Sequence, residues 1–119
     1  MVEHYKRCSS GADHDLPIII YNVPSRTGVN IKTDYYEKLL ELENIVAVKE
    51  ASGNLSQIGN IMAEYGEEIY IYCGNDDLIV PMLSLGCRGV ISVASHIIPL
   101  EMVGICRDYF SGKIERSKN

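Results

Sequence analysis

The chain has 119 residues, of which 46% are hydrophobic and 23% are charged, a composition typical of one globular domain rather than of a disordered or fibrous protein. Its formal charge of −5, its pI near 5.1 and the lack of any basic run longer than Lys6-Arg7 argue against binding to nucleic acid or to an anionic membrane. A small molecule or a protein is therefore the expected partner.

Two further features of the composition bear on location and chemistry. No apolar stretch approaches the roughly 20 residues of a membrane span, and residues 1–6 lack the apolar segment of a signal peptide, so a cytoplasmic protein is expected. The four cysteines form no C-x-x-C pair and have no zinc-site spacing. Reduced thiols are predicted, with no metal or other cofactor, and Cys73 and Cys106 are expected to act as small core hydrophobes.

In chain order, the end of a helix over about residues 3–9 and a polar loop over residues 10–15 precede four apolar runs. The runs cover residues 18–22, 45–49, 69–73 and 89–93. None of them alternates apolar with polar residues, which predicts strands covered on both faces, as in a parallel sheet. A helical pattern follows each run, so the chain is predicted to be α/β, with four consecutive βα units.

Helix boundaries carry recognisable signals. Thr33 and Asn54 are candidate N-terminal caps, and Pro99 is expected to open the last long helix. Glycines stand where helices should end, at Gly66, Gly86 and Gly112. The pattern contains no linker and fits either a small doubly wound sheet or half of an eight-stranded barrel, and it leaves both open.

In both architectures a ligand binds at the carboxyl ends of the strands. Tyr21 and Lys49 end the first two runs, so on neighbouring strands about 4.8 Å apart the phenol and the amine can converge on one ligand atom. Desolvation at the rim of a buried strand disfavours the ammonium of Lys49 and favours the free amine, which attacks carbonyl carbon. Tyr21 could relay the proton. The alternatives are a tyrosine that only packs and a surface lysine that caps the strand end, with Glu50 as its candidate partner.

Other residues at the strand ends are weaker candidates. Arg26 has a planar fork that suits a carboxylate, although an arginine bonded to backbone carbonyls is equally compatible with its loop. Gly74 lacks a Cβ at a strand mouth and lets a ligand approach the backbone. The Asn-Asp-Asp tract at residues 75–77 is interpreted as a helix cap, by Asn75 or Asp76, rather than as a metal site. His96 is interpreted as structural.

Three segments together resemble the 4-hydroxy-tetrahydrodipicolinate synthase family, also called the dihydrodipicolinate synthases. They are residues 17–28 (PIIIYNVPSRTG), 48–54 (VKEASGN) and 89–95 (GVISVAS). The resemblance runs from about residue 2 to residue 116 and keeps the spacings of the family. The Ser-Arg-Thr-Gly continuation favours this family over sister Schiff-base aldolases such as N-acetylneuraminate lyase.

The resemblance implies a lyase with a (β/α)8 barrel that condenses pyruvate with aspartate semialdehyde in lysine and diaminopimelate biosynthesis. It implies that Lys49 forms an imine with pyruvate and that Tyr21 is the proton donor and acceptor. Arg26 would receive the carboxylate of the aldehyde, while Gly74 and the backbone of Ile91 would line the pyruvate pocket. The family commonly has asparagine where this chain has a histidine at position 96.

A barrel of this kind needs about 250 residues, so the resemblance places residues 1–119 in one partial (β/α)8-barrel domain, the second half, with units five to eight. A half barrel has two open edge strands and an apolar inner face. A homo-oligomer is therefore expected, with a flattened, doubly wound sheet or a marginally stable fragment as alternatives. A non-catalytic assembly module and a flavodoxin-like binding domain are the competing functions.

Overall fold

The computed structural model describes residues 1–11 and 16–118. The strands are β1 (Ile18–Asn22), β2 (Ile45–Glu50), β3 (Tyr70–Cys73) and β4 (Gly89–Val90). The helices are α1 (Val2–Gly11), α2 (Pro24–Thr27), α3 (Tyr36–Leu39), α4 (Leu55–Tyr65), α5 (Ile79–Ser84), α6 (Pro99–Phe110) and α7 (Ile114–Ser117). Short 3-10 turns occupy Thr33–Tyr35, Asp76–Leu78 and Ala94–His96. The described part of the chain contains no helix with the length and apolar character needed to cross a membrane.

The strands lie side by side in the order β1-β2-β3-β4, and every neighbouring pair is parallel. Right-handed crossovers between consecutive strands place all connecting helices on the same side of a sheet. A doubly wound sheet instead reverses its strand order and carries helices on both faces. The doubly wound alternative is therefore wrong. A flavodoxin-like function requires that sheet, so the structure does not support it.

The hydrophobic core confirms that the helices cover one face only. Alternate residues of the strands, such as Ile20, Val48 and Ile71, are at most 2% exposed on this face. They pack against apolar side chains from α3, α4, α5 and α6. Those side chains are Tyr36, Leu39, Ile58, Ile61, Ile79, Met82, Leu83 and Met102. The expectation of strands covered on both faces is met on this side of the sheet alone.

The opposite face of the sheet is open. Ile19 and Tyr21 of β1 are 50% and 41% exposed, and Tyr70 of β3 is 53% exposed. We refer to the surface formed by Ile19, Tyr21, Lys49, Tyr70 and Tyr72 as the open face. Its side chains belong to the set that a closed barrel would point inwards, since residues two apart on a strand share a face.

The predicted segment boundaries are mostly right. Asn54 caps α4 by accepting a hydrogen bond from the backbone N–H of Gln57 (3.1 Å), and Pro99 opens α6. Thr33 begins a 3-10 turn without a side-chain cap. Ser10 and Gly11, predicted to lie in a loop, belong to α1, and residues 12–15 of that loop lie outside the described residues.

The largest error concerns β4, which was predicted to span residues 89–93 and ends at Val90. Ile91 still donates its N–H to the carbonyl oxygen of Cys73 (2.9 Å). The next N–H groups leave the sheet, because those of Val93 and Ala94 donate to the carboxylate of Asp76. A side chain from the neighbouring βα unit therefore ends this strand.

Candidate active site

Tyr21 and Lys49 lie side by side at the carboxyl ends of β1 and β2. They are direct partners in the register of the two strands, so their side chains leave the same face of the sheet. The Nζ atom of Lys49 lies 4.2 Å from the centroid of the Tyr21 ring, over its π face. Lys49 is half-buried, and Tyr21 is exposed. A small molecule entering from the open face can therefore reach both groups.

Glu50, the residue after Lys49, does not pair with it. Successive strand residues point to opposite faces, and the Glu50 side chain is fully buried on the helix side of the sheet. Its carboxylate accepts hydrogen bonds from the side-chain amide of Asn22 and from the backbone N–H of Ser52. The alternative of a surface lysine paired with Glu50 is therefore wrong.

Gly74 brings the backbone of β3 against the lysine. A Cβ atom at this position would lie 3.2 Å from Cε of Lys49 and 3.0 Å from the carbonyl oxygen of Glu50. Its N–H donates to that same oxygen (2.8 Å). Ile91 is held beside it, because its N–H bonds to the carbonyl of Cys73. The ends of β2, β3 and β4 thus form one continuous backbone surface beside the amine.

The carboxylate of Asp76 joins two loops at this edge of the sheet. Its Oδ2 atom accepts hydrogen bonds from the backbone N–H groups of Val93 (3.1 Å) and Ala94 (2.9 Å). Burial acts to raise the pKa of Asp76, but the neighbouring Ser92 hydroxyl, the bonds from these two N–H groups and the charge of Lys49 hold that pKa below its ordinary value.

The predicted cap at residues 75–77 is wrong. Neither Asn75 nor Asp76 forms a side-chain capping bond to the turn or the helix that follows, because the Asp76 carboxylate is turned towards the loop between β4 and α6. Among the described residues there is no group of three or more histidine, cysteine, aspartate or glutamate side chains that could hold a metal ion.

Arg26 and His96 are exposed and lie on short helical turns at the same end of the sheet. Arg26 is in α2, which is followed by Gly28 with a φ of 68°, a left-handed conformation that glycine adopts without strain. No hydrogen bond or ion pair joins its guanidinium to another described residue, so the alternative of an arginine bonded to backbone carbonyls is not observed. His96 ends the turn Ala94–His96; its backbone N–H donates to the carbonyl of Val93 (3.2 Å), and its imidazole has no hydrogen-bond partner within the described part of the chain.

One group of polar residues was not recognised in the sequence. Asn22, Asn30, Glu50 and Gln57 form a hydrogen-bonded network behind the Tyr21–Lys49 pair, on the helix side. Asn22 and Glu50 are 1% and 0% exposed. The sequence did contain a signal for this network. Asn22 and Glu50 are polar residues at the last positions of two apolar strands, in line with the strand residues that face the core.

The cysteines take no part in this arrangement. All four are free. Burial raises the pKa of the Cys73 thiol to about 11 and that of Cys87 to about 12, which removes the thiolate form that reacts. Cys73 belongs to the core and Cys106 packs against it, as predicted.

Together the fold and the site define a class of protein: a partial βα barrel with a lysine and a tyrosine at the carboxyl ends of adjacent strands, the end at which such barrels bind their ligands. Comparison with known proteins identifies the family. The chain belongs to the dihydrodipicolinate synthetase family, whose sequence model matches residues 1–119.

Individual relatives are similar to this chain over most of its length. The 4-hydroxy-tetrahydrodipicolinate synthase of Clostridium perfringens is 52% identical over 105 residues, which make up 88% of this chain and 36% of that enzyme. The dihydrodipicolinate synthase of Aquifex aeolicus superimposes with a TM-score of 0.91 at 42% identity, covering 98% of this chain and 40% of that one. The chloride-inhibited enzyme of Acinetobacter baumannii, solved with pyruvate, gives a TM-score of 0.89 at 32% identity, with 98% and 40% covered.

The chain therefore spans about two fifths of the length of the relatives that it matches. Its four parallel strands and their helices form part of a (β/α)8 barrel. This agrees with the open face, because the side chains there are the ones that the remaining strands of a barrel enclose.

Proposed function

We propose that this chain is the part of a 4-hydroxy-tetrahydrodipicolinate synthase that carries the Schiff-base lysine. The observation that carries the proposal is the position of Lys49 Nζ, 4.2 Å from the centroid of the Tyr21 ring at the carboxyl end of the sheet. Relatives of that name supply the reaction, and the pyruvate complex of the Acinetobacter baumannii enzyme supports pyruvate as the first substrate.

In the proposed reaction, the free amine of Lys49 attacks the C2 carbonyl carbon of pyruvate. The carbonyl oxygen takes up a proton, and the resulting carbinolamine loses water to leave an imine. Tyr21 donates that proton and accepts one back. Loss of a methyl proton then gives an enamine, whose carbon attacks the aldehyde carbon of aspartate semialdehyde. The aldehyde oxygen takes up a proton to become a hydroxyl, and the amino group of aspartate semialdehyde attacks the imine carbon and displaces the Lys49 amine, which closes the ring of the product and regenerates the free lysine.

Three further residues have proposed roles in binding. Gly74 and the backbone of Ile91 line the pyruvate pocket. For Gly74 the support is its position beside Cε of Lys49, and for Ile91 it is the hydrogen bond from its N–H to the carbonyl of Cys73, the residue before Gly74. Arg26 binds the carboxylate of the aldehyde substrate. Its support is a guanidinium that is exposed at the strand ends and is not bonded to any described group, since a planar fork can grip a carboxylate with two hydrogen bonds.

The organisation of the protein is also part of the proposal. Residues 1–119 form one partial-barrel domain that corresponds to units five to eight. The protein is proposed to be cytoplasmic. It forms a homo-oligomer in which a second copy packs against Ile19 and Tyr70 of the open face, because these two residues would otherwise leave apolar surface in water. Both residues pair with Ala47 in the strand register, so this contact leaves the carboxyl ends of the strands, with Tyr21 and Lys49, accessible to substrate.

The test is to trap the imine. The chain is incubated with pyruvate, reduced with borohydride and digested, and its peptides are weighed. We expect one reduced pyruvate adduct, on the peptide that contains Lys49. Lys49→Ala should abolish the adduct while the chain stays folded, and Lys32→Ala, which removes an exposed lysine elsewhere, should keep it. If Lys49 stays unmodified in the folded wild-type chain, this chain does not form the imine and the proposal is wrong for it.

A non-catalytic assembly module is the second candidate, and the open face favours it. Among the described strands, β1 and β4 have no partner on their outer edges, and such edges promote association between chains. For a module of this kind, borohydride treatment leaves the mass unchanged and the chain still self-associates. The two measurements together separate the candidates.

A further inference from the structure

A buried carboxylate without a cationic partner lies directly behind the proposed catalytic pair. Glu50 is 0% exposed, and none of the ion pairs within the described residues includes it. A buried carboxylate is costly unless hydrogen bonds replace its water. Those bonds come from Nδ2 of Asn22, which lies 3.0 and 2.9 Å from the two carboxylate oxygens, and from the N–H of Ser52 (2.8 Å).

Asn22 is the second centre of this network, and its orientation is fixed. Its side-chain oxygen accepts a hydrogen bond from the backbone N–H of Ile31 (3.0 Å), which leaves Nδ2 directed at Glu50. The same Nδ2 lies 3.0 Å from Oδ1 of Asn30, which also receives a hydrogen bond from Gln57 (3.2 Å). The network therefore joins the end of β1, the segment after α2, the end of β2 and the first turn of α4.

The strand register connects this network to the site. Asn22 and Glu50 are direct partners across β1 and β2, immediately after the partners Tyr21 and Lys49. Because neighbouring residues on a strand point to opposite faces, the Asn22–Glu50 bond holds the two strand ends together from the helix side. The phenol and the amine project from the other side of the same two backbone segments.

We propose that Glu50 is a positioning residue: through its buried hydrogen bonds to Asn22 and Ser52, it fixes the separation of the Tyr21 phenol and the Lys49 amine and so sets the rate of imine formation. The inference deepens the proposed function and rests on it for the reaction. Its physical basis is that a displacement of about 1 Å between reacting groups can slow a reaction by about 100-fold.

The chain offers a complementary exchange that tests the pairing. E50Q places an amide donor opposite the Asn22 amide donor, and N22D places a second carboxylate opposite Glu50. In the double variant N22D/E50Q the donor and the acceptor are exchanged. The new carboxylate at position 22 can still accept from Ile31 N–H, and the new amide at position 50 can donate to it while accepting from Ser52 N–H. The Asn30 amide, whose oxygen faces Nδ2 of Asn22 in the wild-type chain, has to turn over so that its own Nδ2 donates to the new carboxylate.

We expect each single variant to lower the rate of borohydride-trapped imine formation on the order of 10-fold or more, and the double variant to regain most of the rate. The matched control is Ser9→Ala, which removes the buried Ser9–Asn44 hydrogen bond near the opposite end of β2. This control should reduce the resistance to urea without slowing imine formation. A folded E50Q that reacts at the wild-type rate, or a slowing equal to that of the control, would overturn the proposal.

A second readout does not depend on pyruvate. With Nζ 4.2 Å from the Tyr21 centroid, the ring current should shift the ε-CH2 protons of Lys49 upfield in the NMR spectrum, and Lys49→Arg identifies their signals. We expect this shift to collapse in E50Q and N22D, to return in N22D/E50Q and to persist in Ser9→Ala. If the wild-type chain forms no imine, the proposed function fails for this chain, and the ring-current shift alone decides the positioning role.

The double variant keeps the test decisive if a single variant does not fold. A double variant that recovers the upfield shift supports the proposal even without the single variants. A double variant that lacks it, folded or not, overturns the proposal, and so does an unchanged shift in folded E50Q.

Discussion

Gly74 shows how little space surrounds the lysine. A Cβ atom there would lie 2.8 Å from Cβ of Ala51, 3.0 Å from the carbonyl oxygen of Glu50 and 3.2 Å from Cε of Lys49. The carbonyl cannot move away freely, because the N–H of Gly74 donates to it. Glycine is required here by the close approach of two strands and not by an unusual backbone angle.

We therefore expect Gly74→Ala to destabilise the chain by about 1–3 kcal/mol, the range for overpacking a well-packed site, and to displace Lys49. Urea unfolding measures the first effect and imine trapping the second. Gly104→Ala is the matched control. Its new Cβ would be 3.8 Å from the flexible Arg107 side chain within α6, so it should be neutral or stabilising by up to about 1 kcal/mol. Equal stability of the two variants would contradict this account.

The contact between Asn22 and Glu50 behind the site could not be predicted from the sequence. Lys49 and Tyr21 were predicted because each ends an apolar run, a local feature. The role of Glu50 was not predicted, since its partner Asn22 belongs to another strand and their contact requires the register. The same limitation made Glu50 a plausible but wrong partner for Lys49.

The βα units differ in how well local patterns define them. β1 and β2 begin with runs of apolar, mostly β-branched residues and were predicted within one residue of their bounds. The α4 helix was predicted to begin after Asn54, because an Asn cap acts within three residues. β4 was predicted too long, since its end depends on the carboxylate of Asp76, which lies in the preceding unit.

Asp76 should make the junction of β4 and α6 sensitive to acid. Its folded pKa lies below the unfolded value of 3.8, so its contribution to stability is complete above that value and is lost as the pH falls through the lower, folded pKa. We expect Asp76→Asn to reduce the free energy of unfolding by about 1.5–3 kcal/mol at neutral pH, the range for hydrogen bonds to a charged group.

The measurement for Asp76 is urea unfolding from about pH 7 to about pH 2.5, across the window in which the carboxylate is protonated. The difference between the wild-type chain and Asp76→Asn should shrink as the pH falls. Asp77→Asn, a change of the exposed neighbouring carboxylate, is the control and should have little effect at any pH. A difference for Asp76→Asn that does not change with pH would show that its charge is not responsible.

The whole sheet has one covered face and one open face, and this asymmetry could not be deduced from the pattern of runs. A doubly wound sheet and a half barrel share the same repeating βα units, so the choice between them depends on strand order. The observed consecutive order places the helices on one side, and the inner side chains of the barrel are then left exposed. Ile19 and Tyr70 are the most exposed apolar residues of that face.

If a second copy packs against Ile19 and Tyr70 of the open face, the double variant I19K/Y70K should be monomeric while wild-type chains associate, because the new lysines place charge on apolar contact surface. Sedimentation velocity over a range of micromolar concentrations measures the mass, and circular dichroism checks the fold. The control L100K/F110K changes two apolar residues of α6 that are 82% and 60% exposed, and it should associate like the wild-type chain. Dissociation by the control instead would place the interface on the helix side, and a monomeric wild-type chain would remove the second copy from the open face.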